Sequence, residues 1–318
     1  MKFCDEALIQ PPEWYAREPA VQLAYKVLKF QHMDGGWDKR DEMDVDISDE
    51  LDAKLAARQF ENPSWSGFDD RTTWPEIRYL ALVWNATDIV EFSMGAMRGF
   101  EYCLGAQFEC GGWPQFFPFL NPHYTRDIAF HAQVTPELTK LMFDVAENSQ
   151  MFSFVSPSVK KKAEKVAIKG LDLILRLQQI YKGRHSGWCE HYDPQTLQPK
   201  KGRDFEPIAI DSLESSRIIV WLKSRSEHLC RLAANHGKLW FKEFAIRGLK
   251  FIRRPYAAFI FDDNADRGWF RFYSLEKYIP IFGDSDGSET FAFGQISKER
   301  RRNFAWFGHW GEDALSNA

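Results

Sequence analysis

Three times along the chain a glutamine, a glycine turn and a tryptophan recur, and a Gly-Trp pair comes once more. Gln31-His-Met-Asp-Gly-Gly-Trp37 and Gln107-Phe-Glu-Cys-Gly-Gly-Trp113 are near copies, Gln178 to Gly187-Trp188 is a looser one, and Gly268-Trp269 is the bare pair. The tryptophans stand 76, 75 and 81 residues apart. A spacing this regular marks an internal repeat, in which each copy is one unit that buries its apolar face only by packing on its neighbours. A second pattern, basic residue, glycine, large apolar residue, recurs at Arg98-Gly99-Phe100, Lys169-Gly170-Leu171 and Arg247-Gly248-Leu249, each time ahead of a Gly-Trp turn.

The segments between these turns read as helices. Ala20, Leu23, Ala24, Val27 and Leu28 fall on one helical stripe that stops at Gly35-Gly36. Partner helices are expected over Pro75–Ala86, Pro136–Ala146 and Glu214–Lys223, and a short one near residues 49–59 within an acidic surface loop. The acidic run Asp44-Val-Asp-Ile-Ser-Asp49 lacks the central glycine and closing glutamate of a calcium loop, so it reads as a solvated face. No sustained alternation of apolar and polar residues signals strands. Helix pairs repeating at this period predict an all-α protein, an α/α toroid or solenoid with long loops gathered at one rim and little β structure, forming a single domain over residues 1–318. In such a fold the Gly-Gly-Trp turn is a helix-end wedge, structural in itself.

Composition narrows the function classes. A net charge of −4 over 318 residues lacks the basic excess that nucleic acid demands. The chain contains no 18-residue apolar run, so no membrane span is expected. The five cysteines are odd in number and form no CxxC pair, which argues against a disulfide framework or zinc ribbon and for free thiols in a reducing compartment. Met1-Lys-Phe-Cys-Asp-Glu6 carries no apolar signal region, so a cytoplasmic location is the expectation. Nothing in the sequence asks for a second subunit, and a monomer is expected.

The residues flanking the turns carry a resemblance. Gln-x-x-x-Gly-x-Trp at helix ends is a feature of the triterpene cyclases and of the pectate lyases of polysaccharide lyase family ten, and the flanks favour the lyases. Gly35-Gly-Trp-Asp-Lys39 resembles their Gly-Gly-Trp-Pro-Lys, and Gly111-Gly-Trp-Pro-Gln-Phe-Phe-Pro118 matches them almost word for word. Trp188-Cys-Glu-His-Tyr-Asp-Pro-Gln-Thr-Leu-Gln-Pro199 is similar to Trp-Cys-Ala-Gln-His-Asp-x-x-Thr-Leu-x-Pro, and Gly202-Arg-Asp-Phe-Glu-Pro207 to Ala-Arg-x-Tyr-Glu-x-Pro. Trp269-Phe-Arg-Phe-Tyr273, Pro280-Ile-Phe-Gly283 and Ile296 to Trp306 follow the family's C-terminal third. The matches run in order from Trp14 to Trp310. The resemblance implies an (α/α)3 toroid built from repeats of roughly 76 residues, and a lyase acting on an acidic, uronate-containing poly- or oligosaccharide.

Such lyases cleave by β-elimination. A base removes the proton α to the uronate carboxylate, and cations stabilise the enolate-like charge that develops. The resemblance implies calcium as cofactor and assigns residues by position. Arg203 falls on the base, Asp69 on an aspartate serving the metal and the catalytic centre, and Arg271, Lys39 and Arg126 on the substrate-binding side. His131 sits where the family places chemistry. Bland alternatives stand beside these: Arg203 beside Asp204 and Glu206 suits an ion pair, Arg271 between Phe270 and Phe272 suits a stacked, paired arginine, and Asp193 before Pro194 suits a turn cap.

The match breaks at Ile128-Ala-Phe-His-Ala-Gln-Val134, where the family reads Ile-Thr-Phe-Asn-Asp-Asp-Ala. Ala132 stands at an acidic position, and the family's Arg-Asp-Gly is Ser285-Asp286-Gly287. Calcium takes six to eight oxygen ligands, so a lost carboxylate predicts altered metal use. Two other functions follow as expectations: a degenerate homologue that binds uronate glycans without cleaving them, and a terpene-cyclase-like enzyme suggested by Asp262-Asp-Asn-Ala-Asp266.

Overall fold

The computed structural model describes residues 4–58, 65–120, 123–147, 150–225, 228–229, 269–311 and 314. Its helices are α1 (Cys4–Ala7), α2 (Glu18–Phe30), α3 (Asp49–Arg58), α4 (Trp74–Thr87), α5 (Val90–Ala106), α6 (Val134–Glu147), α7 (Pro157–Arg176), α8 (Ser212–Ser224) and α9 (Lys298–Arg302). Arg247-Gly248-Leu249 and the Asp262–Asp266 pattern lie outside the described residues.

The repeated turn explains itself atom by atom. Gln31 and Gln107 each leave their helix in extended conformation, φ −67° and −68°. Their side-chain amides reach back to the turn: Gln31 Nε2 donates to the Gly35 carbonyl at 2.9 Å, Gln107 Nε2 to Gly111 at 2.9 Å, and Gln178 Nε2 to Ser186 at 2.7 Å. The tryptophan then caps the helix it has just left. Trp37 Nε1 donates to the Val27 carbonyl, Trp113 to Cys103 and Trp188 to Ile174, at 2.6–2.8 Å, which satisfies helix-end carbonyls that would otherwise be orphaned. The basic-glycine pattern is the receptor for the same turn. Gly35 and Gly111 hold φ +96° and +111°, and a Cβ on them would lie 2.3 Å from the Arg98 carbonyl and 2.5 Å from that of Lys169. Only glycine tolerates both demands. The first two turns therefore pack on the Arg98-Gly99 and Lys169-Gly170 steps of later helices.

By backbone proximity the chain divides into two compact units, Met1–Arg126 with Glu137–Gly170, and Asp127–Pro136 with Leu171–Ala318. In the first, α4 and α5 form a tight antiparallel pair joined at Asp88, whose left-handed backbone ends α4. Trp37, Phe68, Tyr79, Phe92, Phe100 and Trp113 are fully buried there. The segment Asp44–Asp49 is mostly exposed and pairs with α2 through Lys26 and Asp46. The second unit is built on short strands. Strands β1 (Ile128–Ala129), β5 (His191–Tyr192) and β6 (Pro199–Lys200) make one antiparallel sheet; β4 (Trp188–Cys189), β7 (Ala209–Asp211) and β9 (Phe272–Ser274) make another. An aromatic cluster of Phe270, Phe272, Tyr273, Phe282 and Trp306 packs with them.

The all-α toroid expected from the repeat is overturned. Among the described residues the helices are accompanied by five small antiparallel sheets, the three two-stranded ones being β2–β3 (Ile180–Tyr181, Arg184–His185), β8–β12 (Trp269–Phe270, Phe307–Gly308) and β10–β11 (Phe282–Gly283, Glu289–Thr290). Each strand is two or three residues long. An alternation of that length leaves no periodic signature, so a repeat of helical stripes was all that the sequence displayed. Among the described residues no helix is long and apolar enough to cross a membrane.

Candidate functional site

The second unit gathers its ionisable side chains at the meeting of its two three-stranded sheets and α8. Register does the gathering. Ala129 pairs with His191, and the backbone N–H groups of Phe130 and His131 donate to the Glu190 carbonyl at 2.7 and 3.1 Å. Beyond His131 the chain turns sharply into α6 through Ala132 and Gln133, two non-glycine residues at φ +51° and +62°. Such left-handed residues cost free energy and cluster at functional sites. The turn sets His131 Nδ1 3.2 Å from Glu190 Oε1, with the His131 and His191 rings near-parallel, 6.0 Å apart. Gly202 lies against the same group. A Cβ there would stand 2.5 Å from Glu206 Oε2 and 2.9 Å from His191 Nε2, so glycine is what lets these side chains close on the loop.

Arg271 lies at the centre of a carboxylate cage. Its Nε donates to Asp211 at 2.5 Å, and Nη2 to Glu190 at 2.9 Å and to Glu214 at 3.4 Å. All four residues are buried. Burial opposes the guanidinium charge, but Asp211, then Glu190 and Glu214, hold its pKa above the usual value. The carboxylates respond unequally. Burial pushes Asp211 well above the usual carboxylate range; Arg271 counters that, while Glu190 and Glu214 add to it. Burial also works to raise Glu190, yet His131 first and then Arg271 hold it well below. Asp211 has a second duty as the cap of α8, accepting the Glu214 N–H at 2.8 Å.

Arg203 is placed differently. Its Nε donates to Glu206 at 2.7 Å, Nη2 also contacts that carboxylate, and the guanidinium lies 4.8 Å from the Phe205 ring centre. The arginine side chain is 40% exposed while Glu206 is buried. Glu206 is shifted upward, by burial first and by the charge of Glu190 second. Asp193 caps its own turn, accepting the N–H groups of Gln195 and Thr196, and Lys200 joins Asp127 at 2.7 Å.

In the first unit, Lys39 Nζ sits 2.6 Å from Asp69 Oδ2, and Gln115 Nε2 donates to Oδ1 at 3.3 Å. Gly67 ties this pair to the repeat, bridging Trp37 on one side and Phe116 on the other. Burial opposes the Lys39 charge, but Asp69 raises its pKa above the usual value. Asp70, Arg71 and Thr73, which lead into α4, hold φ of 56°, 62° and 76°, a second run of left-handed non-glycine residues. Arg126 is exposed at the end of a 3-10 turn. The structure thus joins Lys39 to Asp69 in one unit, and His131 to Arg271 through Glu190 in the other.

Glu190, His191, Asp211 and Glu214 were not singled out by sequence. The available signal was local: Glu190-His191 stands where the lyase pattern reads Ala-Gln, just as His131 replaces Asn. Of the side chains that converge, His131, Glu190 and His191 are ones at which the chain departs from that pattern.

Among the described residues, the donors of the His131, Glu190 and His191 group do not suit calcium. One oxygen from each of His131, Glu190 and His191 is not on offer, since two of the three present imidazole nitrogen, whereas calcium takes six to eight oxygens. Ala132 supplies no side-chain donor, and the Asp69 carboxylate already holds the Lys39 ammonium and the Gln115 amide.

A family model described as pectic acid lyase matches residues 31–315. No curated protein matches the chain. Among solved structures, a mutant of a family 10 polysaccharide lyase from Cellvibrio cellulosa, in complex with trigalacturonic acid, is similar at 22% identity and TM-score 0.77, over 100% of this chain and 98% of that one. A family 10 polysaccharide lyase from the same organism is similar at 22% identity and TM-score 0.76, over 96% and 94% of the two chains. At this identity the likeness is one of fold.

Proposed function

Because the chain belongs to the pectic acid lyase family, we propose that it cleaves an acidic, uronate-containing poly- or oligosaccharide by β-elimination. The observation that carries this reading is Arg203, a half-exposed cation on the motif that resembles the family's base, with its guanidinium fixed by buried Glu206 and backed by Phe205. The trigalacturonic acid in the similar structure supports an anionic sugar as substrate.

In this reading Arg203 meets the reacting sugar. A guanidinium fixed beside a uronate carboxylate favours the charge that builds up as the α proton leaves, and needs no reorganisation to do so. A guanidinium holds its proton tightly, so proximity and a substrate proton made more acidic by nearby positive charge carry the base step. Lys39 and exposed Arg126 are proposed as further contacts for uronate carboxylates, His131 as a substrate-facing group, and Asp69 as the residue that orients Lys39. Arg271 is proposed to position Glu190, Asp211 and Glu214.

Ultraviolet absorbance from unsaturated uronide ends tests the proposal. Incubation with polygalacturonate, alginate and other uronans should give a rising signal on at least one of them, and Arg203→Ala should cut its rate by about a hundredfold or more. A flat trace on all, with and without added divalent cations, defeats it. The second reading, a homologue that binds without cleaving, is favoured by Ala132 and by the Lys39 ammonium seated on Asp69. Saturable binding of trigalacturonic acid with no turnover would establish it.

A further inference from the structure

From the donors that converge on Glu190, we propose that His131, Glu190 and His191 form a site for a first-row transition-metal ion of the zinc, cobalt or manganese class rather than calcium. One donor atom from each residue lies within 4.8 Å of the others. Two imidazoles and one carboxylate are a ligand set that suits such ions and disfavours the hard, oxygen-seeking calcium. Ligands on a tetrahedral zinc stand about 3.3 Å apart, so no pair needs to close by more than about 1.5 Å. His131 Nδ1 and Glu190 Oε1 are already at 3.2 Å.

Three further observations point to a cation here. Glu190 is 95% buried, no N–H of a described residue donates to its Oε2, and the Asp211 carboxyl is a further side-chain hydrogen-bond neighbour of Glu190. A buried carboxylate oxygen with no N–H donor is costly, and a metal ion relieves that cost. The other oxygen, Oε1, accepts from Arg271, an outer-sphere contact of the sort that fixes a ligating carboxylate in place. Finally, three buried carboxyl groups, Glu190, Asp211 and Glu214, surround Arg271, with His131 beside Glu190 and Arg217 beside Glu214, so oxygen donors are plentiful next to the trio.

The sequence supports the same trio. His131 enters at the segment where the lyase pattern loses its acidic residues, and Glu190-His191 enters 59 residues later, where that pattern has no acid and no histidine. Strand register alone brings the two departures together. Carboxylates are lost at Ala132 and Gln133 and one is gained at Glu190, alongside two imidazoles.

The test is metal binding by the full chain, read without reference to cleavage, so it stands or falls apart from the proposed lyase reaction. Chelator-stripped protein is titrated with cobalt, zinc, manganese and calcium chloride, by calorimetry and by the visible absorption of cobalt. One equivalent of cobalt and of zinc should bind, with a cobalt band that zinc displaces and excess calcium does not. His131→Ala, at a partly exposed position, should lose the band while circular dichroism stays that of the parent, and His191→Ala should lose it as well. The proposal is overturned if the parent takes up no stoichiometric cobalt or zinc, if calcium displaces them, or if the band survives in both variants, which would mark an adventitious ion only.

Discussion

Arg203 and Arg271 are the same residue type, carried on two motifs of one family and lying in the same unit, yet their surroundings make them different objects. Arg271 is 8% exposed in its side chain and bound by three carboxylates. Arg203 is 40% exposed and bound by Glu206 with an aromatic ring beneath it. A guanidinium with three anionic partners in a desolvated cage is a structural counter-ion. The one that is 40% exposed is proposed to meet a substrate carboxylate. The contrast teaches that motif position assigns a cation to a neighbourhood, and that burial separates the two cations within it.

The largest expected effect breaks the cage. Arg271→Ala leaves Asp211, Glu190 and Glu214 buried together without their cation, and removing one partner of a buried ion pair costs about 3–5 kcal/mol. Urea unfolding should report a loss of that size; a loss under about 1 kcal/mol, the scale of an exposed pair, would put Arg271 in the same class as Arg203. The complementary experiment is Arg203→Ala. Its stability should stay within about 1 kcal/mol of the parent, while the rate of unsaturated-end formation falls by about 10²–10⁴-fold, the range for loss of a proton-transfer group. Unchanged cleavage with lost stability would reverse the roles.

How much of this was legible beforehand follows the length scale of each signal. Helices α2, α4, α6 and α8 lie where apolar spacing put them, because each spans at least three turns. The Gly-Gly-Trp turn was readable as a wedge, and the Arg-Gly and Lys-Gly steps were visible as a pattern, but their mutual packing was not. That contact joins Gly35 to Arg98 and Gly111 to Lys169, and only the backbone path reveals it. The strands were invisible since two residues carry no period. The meeting of His131 with Glu190 depends on the pairing of Ala129 with His191, so those strands hid the histidine–glutamate cluster as well. The pairing of Arg203 with Glu206 was legible because three residues separate them.

A pH experiment sharpens the same comparison at smaller scale. Glu206, the partner of Arg203, has its pKa raised above 4.5, by burial and then by Glu190. A carboxyl that holds its proton more tightly when folded contributes stability fully below its unfolded pKa, and that stability is lost as pH rises through the folded value. The parent should therefore lose stability between pH 4.5 and neutrality by about 1.4 kcal/mol for each unit of that shift. Glu206→Gln keeps an acceptor for Arg203 and removes the titration, so its unfolding free energy should vary less over that range. Parallel curves for the two proteins would show that Glu206 titrates normally.

The smallest effect concerns the rings. Phe205 underlies Arg203 at 4.8 Å and Arg300 at 3.8 Å, whereas Phe304 and Phe272 lie 5.6 and 5.8 Å from Arg271. Arg271 is oriented by its carboxylates, so its rings add packing and little direction. Arg203 is held by Glu206 and also packs on Phe205. A cation–π contact at a partly exposed site is worth about 0.5–1 kcal/mol, which is a factor of about two to five in binding. Phe205→Leu should accordingly raise KM for a uronan substrate several-fold with kcat little changed, while Phe304→Leu costs stability and leaves KM alone. Equal KM values in the two variants would mean that Glu206 alone aims the Arg203 guanidinium.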